Sequence, residues 1–207
     1  MSSPKKAPAQ KPSDNRRKLL DAARAIMTAK GYAETGTEEI VARAGVTRGA
    51  LYYQFADKQD LFLALCQELA EALGLRVFEE SMARITHDRE DLAVGLEMML
   101  DAFLEPDIQR LLLRDGPAVL GFETWKGLVE PINRVLVEHA LQHLLDDGTL
   151  APQPLEPIAV VMSGAMIQAG QAIAASPDPK AAREAYGQAL STMVAGIMSG
   201  SAAASAK

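Results

Sequence analysis

Apolar positions recur with helical spacing along nearly the whole chain, which predicts an all-α fold of about nine helices. Ser13 or Asp14 can cap a first helix that runs to about Lys30, with Leu19, Leu20, Ala23, Ile26 and Met27 as its inner stripe. Gly31 follows in the usual C′ position. Glu38 to Arg43 suits a second helix, with Ile40, Val41 and Ala44 on one face. Gly45 is expected at positive φ, Val46 as a buried turn residue, and Thr47 as the N-cap of a third helix over Arg48 to Phe55. Leu51 and Phe55 point inward, four apart, so Thr47, Arg48, Gly49, Ala50, Tyr53 and Gln54 are left outside. Two short helices across a tight turn, with small or hydrogen-bonding groups outward, suit a helix lying in a DNA major groove.

Asp57 caps a fourth helix predicted from Lys58 to Arg84, about 40 Å long at 1.5 Å per residue and interrupted only by Gly74. Its early run LFLALC is apolar all round, as expected of a connector touching two bodies. From Asp88 on, Leu92, Leu96, Met99, Leu100 and Phe103 form a face ending near Pro106. A short helix over Ile108 to Arg114 is expected to stop at Asp115, Gly116 and Pro117. Glu123 to Asp147 is the next, ending at Gly148, with Pro131 bending it or lying near its beginning.

The last two helices carry no charge over Pro157–Pro177 and Ala185–Ala206. Twenty-one uncharged residues could span a bilayer. Gln168, Gln171, Ser163 and many alanines keep the first run weakly apolar, and no aromatic belt or flanking Lys/Arg asymmetry accompanies it. Helices rich in Gly, Ala and Met that admit a close neighbour are the better reading. The contact positions would be Gly164, Ala165, Ala169, Gly170, Ala172 and Ile173, then Tyr186, Ala189, Leu190, Met193, Val194 and Ile197. An internal two-helix core is the alternative.

Charge changes the picture of partners. The net charge of −6 speaks against nucleic acid, but residues 1–60 hold eleven Lys/Arg against seven Asp/Glu, +4, leaving −10 for residues 61–207. A basic head on an acidic body is the asymmetry of a chain that meets phosphate at one end. The organisation expected is a disordered basic arm over 1–12, a DNA-binding head over 13–60, a second domain over 61–199 and a disordered tail over 200–207. Lys5, Lys6 and Lys11 lie in an arm with no apolar stretch behind it, which is not a secretory signal. The lone Cys66 cannot form an internal disulfide, consistent with a reducing, cytoplasmic setting, and its apolar run argues for a buried, inert thiol.

Residues Arg17 to Leu61 resemble the DNA-binding domain of the TetR family of transcriptional regulators. The likeness is carried by LLDAARAIMTAKGY, IVARAGVTRGALYYQF and ADKQDLF. Met27 stands where the family usually has an aromatic, and Gly36 where a Thr-Thr pair is usual. Beyond about residue 65 only the helical layout is similar. The resemblance implies that Tyr32 packs back on the head, and that Thr37, Tyr53, Gln54 and Lys58 clamp phosphates. From the residues themselves, Arg48 and Thr47 would read bases, or Arg48 would touch only phosphate; Gly49 or Ala50 could meet a thymine methyl, and Tyr52 could pack its ring while its hydroxyl reaches phosphate. The resemblance implies a homodimer joined by the last two helices as a four-helix bundle on a palindromic operator. It also implies a body that receives a small-molecule effector, for which Phe103, Arg114, Phe122, Trp125, His139 and Met166 are the lining candidates, or else core.

Other chemistry is thinly represented. There is no phosphate-cradling Gly motif, no GxSxG, no HExxH and no usefully spaced Cys–His pair, so an enzyme is the weakest class. His139, His143 and Asp147 fall at i, i+4 and i+8, a spacing that could hold a metal. Histidines among leucines are more often pocket-lining or solvent-edge groups, so no metal or cofactor is assigned. The function expected is a sequence-specific, ligand-responsive repressor, and its rival is a DNA-organising protein that ignores ligands.

Overall fold

The computed structural model describes residues 12–84 and 91–204. All regular structure among them is helical: α1 (Pro12–Lys30), α2 (Thr37–Ala44), α3 (Arg48–Gln54), α4 (Lys58–Arg84), α5 (Asp91–Ala102), a π-helix (Ile108–Asp115), α6 (Gly116–Leu120), α7 (Phe122–Asp146), α8 (Leu155–Ala175) and α9 (Pro179–Ala204). The chain forms two compact units that divide between Leu65 and Cys66, inside α4. Residues 1–11 of the expected arm, with their three lysines, and Asp88 lie outside the described residues.

In the first unit, α1, α2 and α3 pack on one another. Leu19, Leu20, Ala23, Met27, Ile40, Leu51, Phe55, Leu61 and Phe62 are buried, so the stripe of each helix is spent on this core. Backbone chemistry fixes the turn between α2 and α3. Gly45 has φ 64°, and the N–H groups of Gly45 and Val46 donate to the carbonyls of Ala42 and Val41 at 3.3 and 3.1 Å. This double closure is a Schellman motif, which needs a left-handed residue. Val46 serves it through its N–H, and its side chain is only half-buried rather than sealed in the turn.

Thr47 caps α3, its hydroxyl oxygen accepting from the Ala50 N–H at 3.2 Å. Phe55 falls one residue past the helix, in extended backbone, yet stays buried. At the start of α4 the Asp60 N–H donates to Asp57 Oδ1, while Asp60 Oδ2 accepts from the Ala56 N–H, both at 2.8 Å. That reciprocal cap satisfies two backbone donors at once.

In the second unit α7 packs on α5 and α8, α8 on α9 and the π-helix, and α5 on α9. Three boundaries differ from the expected ones. The segment from Ile108 is a π-helix that leads straight into α6, because Pro117 sits in the first turn of α6, where a missing N–H costs nothing. The break comes instead at Gly121, with φ 80°. Pro131 lies well inside α7. Finally, α9 begins at Pro179, where Asp178 Oδ1 accepts from the Ala181 N–H at 3.1 Å, and stays helical to Ala204, into the stretch expected to be a tail. Arg183 ties α9 to α5 through Asp101, at 2.8 Å, and Glu97.

By length and composition α8 could cross a membrane. Here its Ala159, Met162, Met166, Ala169, Gly170 and Ile173 are buried within the unit. A Cβ on Gly170 would stand 2.9 Å from the Phe103 ring, so the helix approaches that ring as closely as a glycine allows.

Candidate functional site

On α3 the side chains meant for DNA stand clear of the core. Thr47, Arg48 and Gly49 are exposed, Tyr53 is 79% exposed and Tyr52 44%, while Ala50 and Gln54 are half-buried. Thr37, the first residue of α2, is also half-buried. Arg48 is not loose. Its Nη1 lies 2.9 Å from Glu38 Oε1, and its guanidinium carbon lies 5.5 Å from the centroid of the Tyr52 ring. A carboxylate on α2 and an aromatic face one turn along α3 therefore aim the guanidinium before any duplex arrives. Glu38 was not singled out from the sequence; an acidic residue in a first helical turn reads as a dipole partner.

Lys58 has partners within the head. Its ammonium donates to the carbonyl oxygens of Tyr32 and Thr35, each at 2.9 Å, and lies 4.0 Å from the centroid of the Tyr32 ring. Two of its three N–H donors are thus committed within the head, and the group fastens the α1–α2 turn to the start of α4. That geometry is an internal fastening, and it leaves one N–H donor for any phosphate contact. Tyr32 does pack back on the head, its ring centroid 5.0 Å from that of Phe62. Thr35, beside the glycine at 36, is buried and donates its hydroxyl to the Gly31 carbonyl at 2.7 Å.

The second unit holds a cavity of about 620 Å³, counting the part open to solvent, between α4, α5, α7 and Met166 of α8. Val77 and Phe78 of α4, Leu96 and Met99 of α5, and Leu136 of α7 supply apolar wall. Asn133, His139 and His143 bring polar groups to it. A smaller cavity of about 370 Å³ includes Phe103, Leu112, Trp125 and Ile167 in its wall and shares Met99 and Asn133 with the larger one.

The six lining candidates are therefore dispersed. His139 and Met166 border the larger cavity, Phe103 and Trp125 the smaller, and Arg114 and Phe122 are exposed and border neither. Trp125 is fully buried and donates its Nε1–H to the Leu112 carbonyl at 2.6 Å. His139 and His143 have ring centroids 4.7 Å apart, whereas Asp147 accepts from the Thr149 N–H at 2.8 Å. No group of three metal-ligating side chains occurs among the described residues. The missed wall residue Asn133 had a signal: it is the one polar member of the row Val129, Asn133, Val137, Leu141.

Among the contact positions on α8 and α9, Gly164, Tyr186, Ala189 and Met193 are exposed, and Ala165, Ala172, Val194 and Ile197 are half-buried. Ala169, Gly170, Ile173 and Leu190 are corrected: they are buried in the chain's own unit and unavailable to a second subunit.

The family described as "Bacterial regulatory proteins, tetR family" matches residues 19–65, and "Tetracyclin repressor-like, C-terminal domain" matches residues 89–197. The transcriptional activator FasR of Mycolicibacterium smegmatis is 37% identical over 101 residues, covering 47% of this chain and 44% of its own length. The transcriptional repressor AcnR of Corynebacterium glutamicum is 32% identical over 79 residues, covering 38% of this chain and 42% of its own. The chain thus spans less than half the length of these relatives. A TetR-family transcriptional regulator from Pectobacterium atrosepticum has a solved structure that superposes with a TM-score of 0.80 at 28% identity, covering 90% of this chain and 95% of that one. The head and the helical second unit are each matched by the same family, and the chain belongs to it: a TetR-family DNA-binding transcriptional regulator, and not an enzyme.

Proposed function

We propose that the chain is a homodimeric repressor of transcription that binds a palindromic operator in the cytoplasm and is released by a small molecule held in the larger cavity. The observation that carries the DNA reading is the face of α3, where Thr47, Arg48, Gly49 and Tyr53 are exposed beside buried Leu51 and Phe55. Arg48 donates to guanine O6 and N7, Thr47 and Gly49 approach neighbouring bases, with Ala50 at the edge, and Tyr52, Tyr53, Gln54 and Thr37 hold the backbone. Where the operator overlaps a promoter, occupying it blocks transcription without any further surface.

Dimerisation is supported by the outward faces of α8 and α9, where Val161 is 62% exposed, Met193 39% and Tyr186 38%, with Gly164 and Ala189 among them. Apolar and small side chains in solvent on two long helices suit a four-helix contact between copies. Two copies then present two α3 helices, and half-sites about one helical turn apart or a multiple of it.

Release is supported by α4, which supplies Val77, Phe78, Ser81 and Met82 to the cavity wall and whose first turns belong to the head. A ligand pressing on that helix favours one placement of the heads and DNA favours another, so each weakens the other by the same factor. Selection of bound duplexes from a random pool tests the reading. A palindrome should be enriched, bound by an even number of chains. Recovery without any shared sequence would favour the DNA-organising alternative and sink this one.

A further inference from the structure

Among the described residues lining the larger cavity there is no carboxylate, ammonium or guanidinium group. A cation entering it would find no partner charge, and an anion only the imidazoles of His139 and His143 and the amide of Asn133, so a neutral ligand is favoured. The polar groups it does present are few. Ser81 points its hydroxyl at the Met98 sulfur, 3.6 Å away. His139 differs: its Nε2 is sealed from solvent and has no hydrogen-bond partner among the described residues. Its ring stands in a row with two others, 5.2 Å from Phe78 and 4.7 Å from His143, tilted by 58° and 56°.

We propose that the ligand is an uncharged, mainly hydrocarbon molecule bearing one hydroxyl, with that hydroxyl on His139 Nε2 and its ring or chain along Phe78 and Leu136. This rests on reading the cavity as the effector site. A hydroxyl is the partner that serves either imidazole tautomer, because it both donates and accepts. As it stands no water-sized group touches Nε2, so a small turn of the ring toward the cavity is part of the proposal, and the hydroxyl would end the unpaired state of that nitrogen. Beyond His139 the walls are Leu96, Met99 and Met166, and Met99 also borders the smaller cavity. Flexible methionines let an apolar tail advance in that direction.

The test is calorimetric titration of the full-length protein with 4-propylphenol, propylbenzene and 4-propylbenzoate. The phenol should bind at least tenfold tighter than the carboxylate. His139→Phe should weaken the phenol about tenfold and leave propylbenzene within about twofold, since only the hydroxyl loses a partner. His139→Gln, which keeps a hydrogen-bonding head, should recover part of the loss, and both variants must melt as the parent does. Equal or tighter binding of the benzoate, equal weakening of phenol and propylbenzene, or no binding of any of the three overturns the proposal. Phenol binding that leaves operator affinity unchanged would refute the effector reading and keep the ligand class. Operator release by the benzoate alone would do the reverse.

Discussion

Lys58 and Tyr32, twenty-six residues apart, are joined twice: the lysine ammonium donates to the tyrosine carbonyl at 2.9 Å and lies 4.0 Å from the centroid of its ring. With the further bond to the Thr35 carbonyl, one side chain holds the turn between α1 and α2 against the first turn of α4. A cation half-buried on two carbonyls and an aromatic face is a stabilising element of the head.

Lys58→Met should therefore lower head stability by about 1–3 kcal/mol, seen as an earlier thermal transition. The salt dependence of DNA binding by the fraction that stays folded should keep its slope. A lost phosphate contact would instead leave melting alone and reduce that slope by about one.

Arg48 and Glu38 make opposite predictions. Arg48→Ala should cost about 1–3 kcal/mol on the preferred operator and relax discrimination at one base pair in each half-site. Glu38→Gln removes the carboxylate that must release Arg48 when guanine is engaged. The ion pair is solvent-exposed, so the gain is small: up to about fivefold tighter binding to every duplex, smaller at high salt. Titrations across single-base operator variants distinguish the two. An Arg48→Ala protein that loses equally on all of them has lost a phosphate contact.

Trp125 is the only tryptophan, fully buried and bonded at 2.6 Å to the Leu112 carbonyl within the π-helix. Its emission should be blue-shifted and poorly quenched by iodide. Trp125→Phe should destabilise the second unit by about 2–4 kcal/mol, because it orphans a buried carbonyl and leaves space where the indole lay against Gly116. Denaturant melts followed by circular dichroism measure the loss.

Burial, aided by the charge of Asp115, pushes the Cys66 thiol up from its ordinary 9.0 to about 12. Below pH 9 the thiol is protonated in folded and unfolded chains alike, and the full stability is present. Between about 9 and 12 only the unfolded chain releases the proton, so Cys66 makes stability fall as pH rises. Cys66→Ala should make that alkaline decline shallower in pH-dependent melts. Iodoacetamide at pH 8 should label the native protein far more slowly than the unfolded one.

The head was legible because its rules are local. Gly45 at a C′ position, Thr47 at an N-cap, Asp57 before a helix and Leu51–Phe55 four apart each announce their conformation within a few residues. Lys58 was not, since its partners come from a turn more than twenty residues upstream, and a lysine after a cap reads as solvent-facing. The second unit hid more. The segment Ile108–Asp115 keeps an apolar face and reads as a helix, but nothing in it marks the wider π turn, and Arg114 and Phe122, named as lining candidates, lie on the surface. The cavity itself lies where the faces of α4, α5 and α7 part, which depends on packing rather than on any one helix. Of its wall His139 and Met166 were named in advance, while Asn133, polar in an apolar row, carried a signal that went unread.

The measurement that bears most directly on the whole account couples the two units. The duplex enriched from a random pool is titrated with the full-length protein, with and without a compound that raises its melting temperature, and the compound is titrated with and without the duplex. Binding should weaken in both directions by one common factor. A compound that fills the cavity and leaves the duplex affinity unchanged would contradict it.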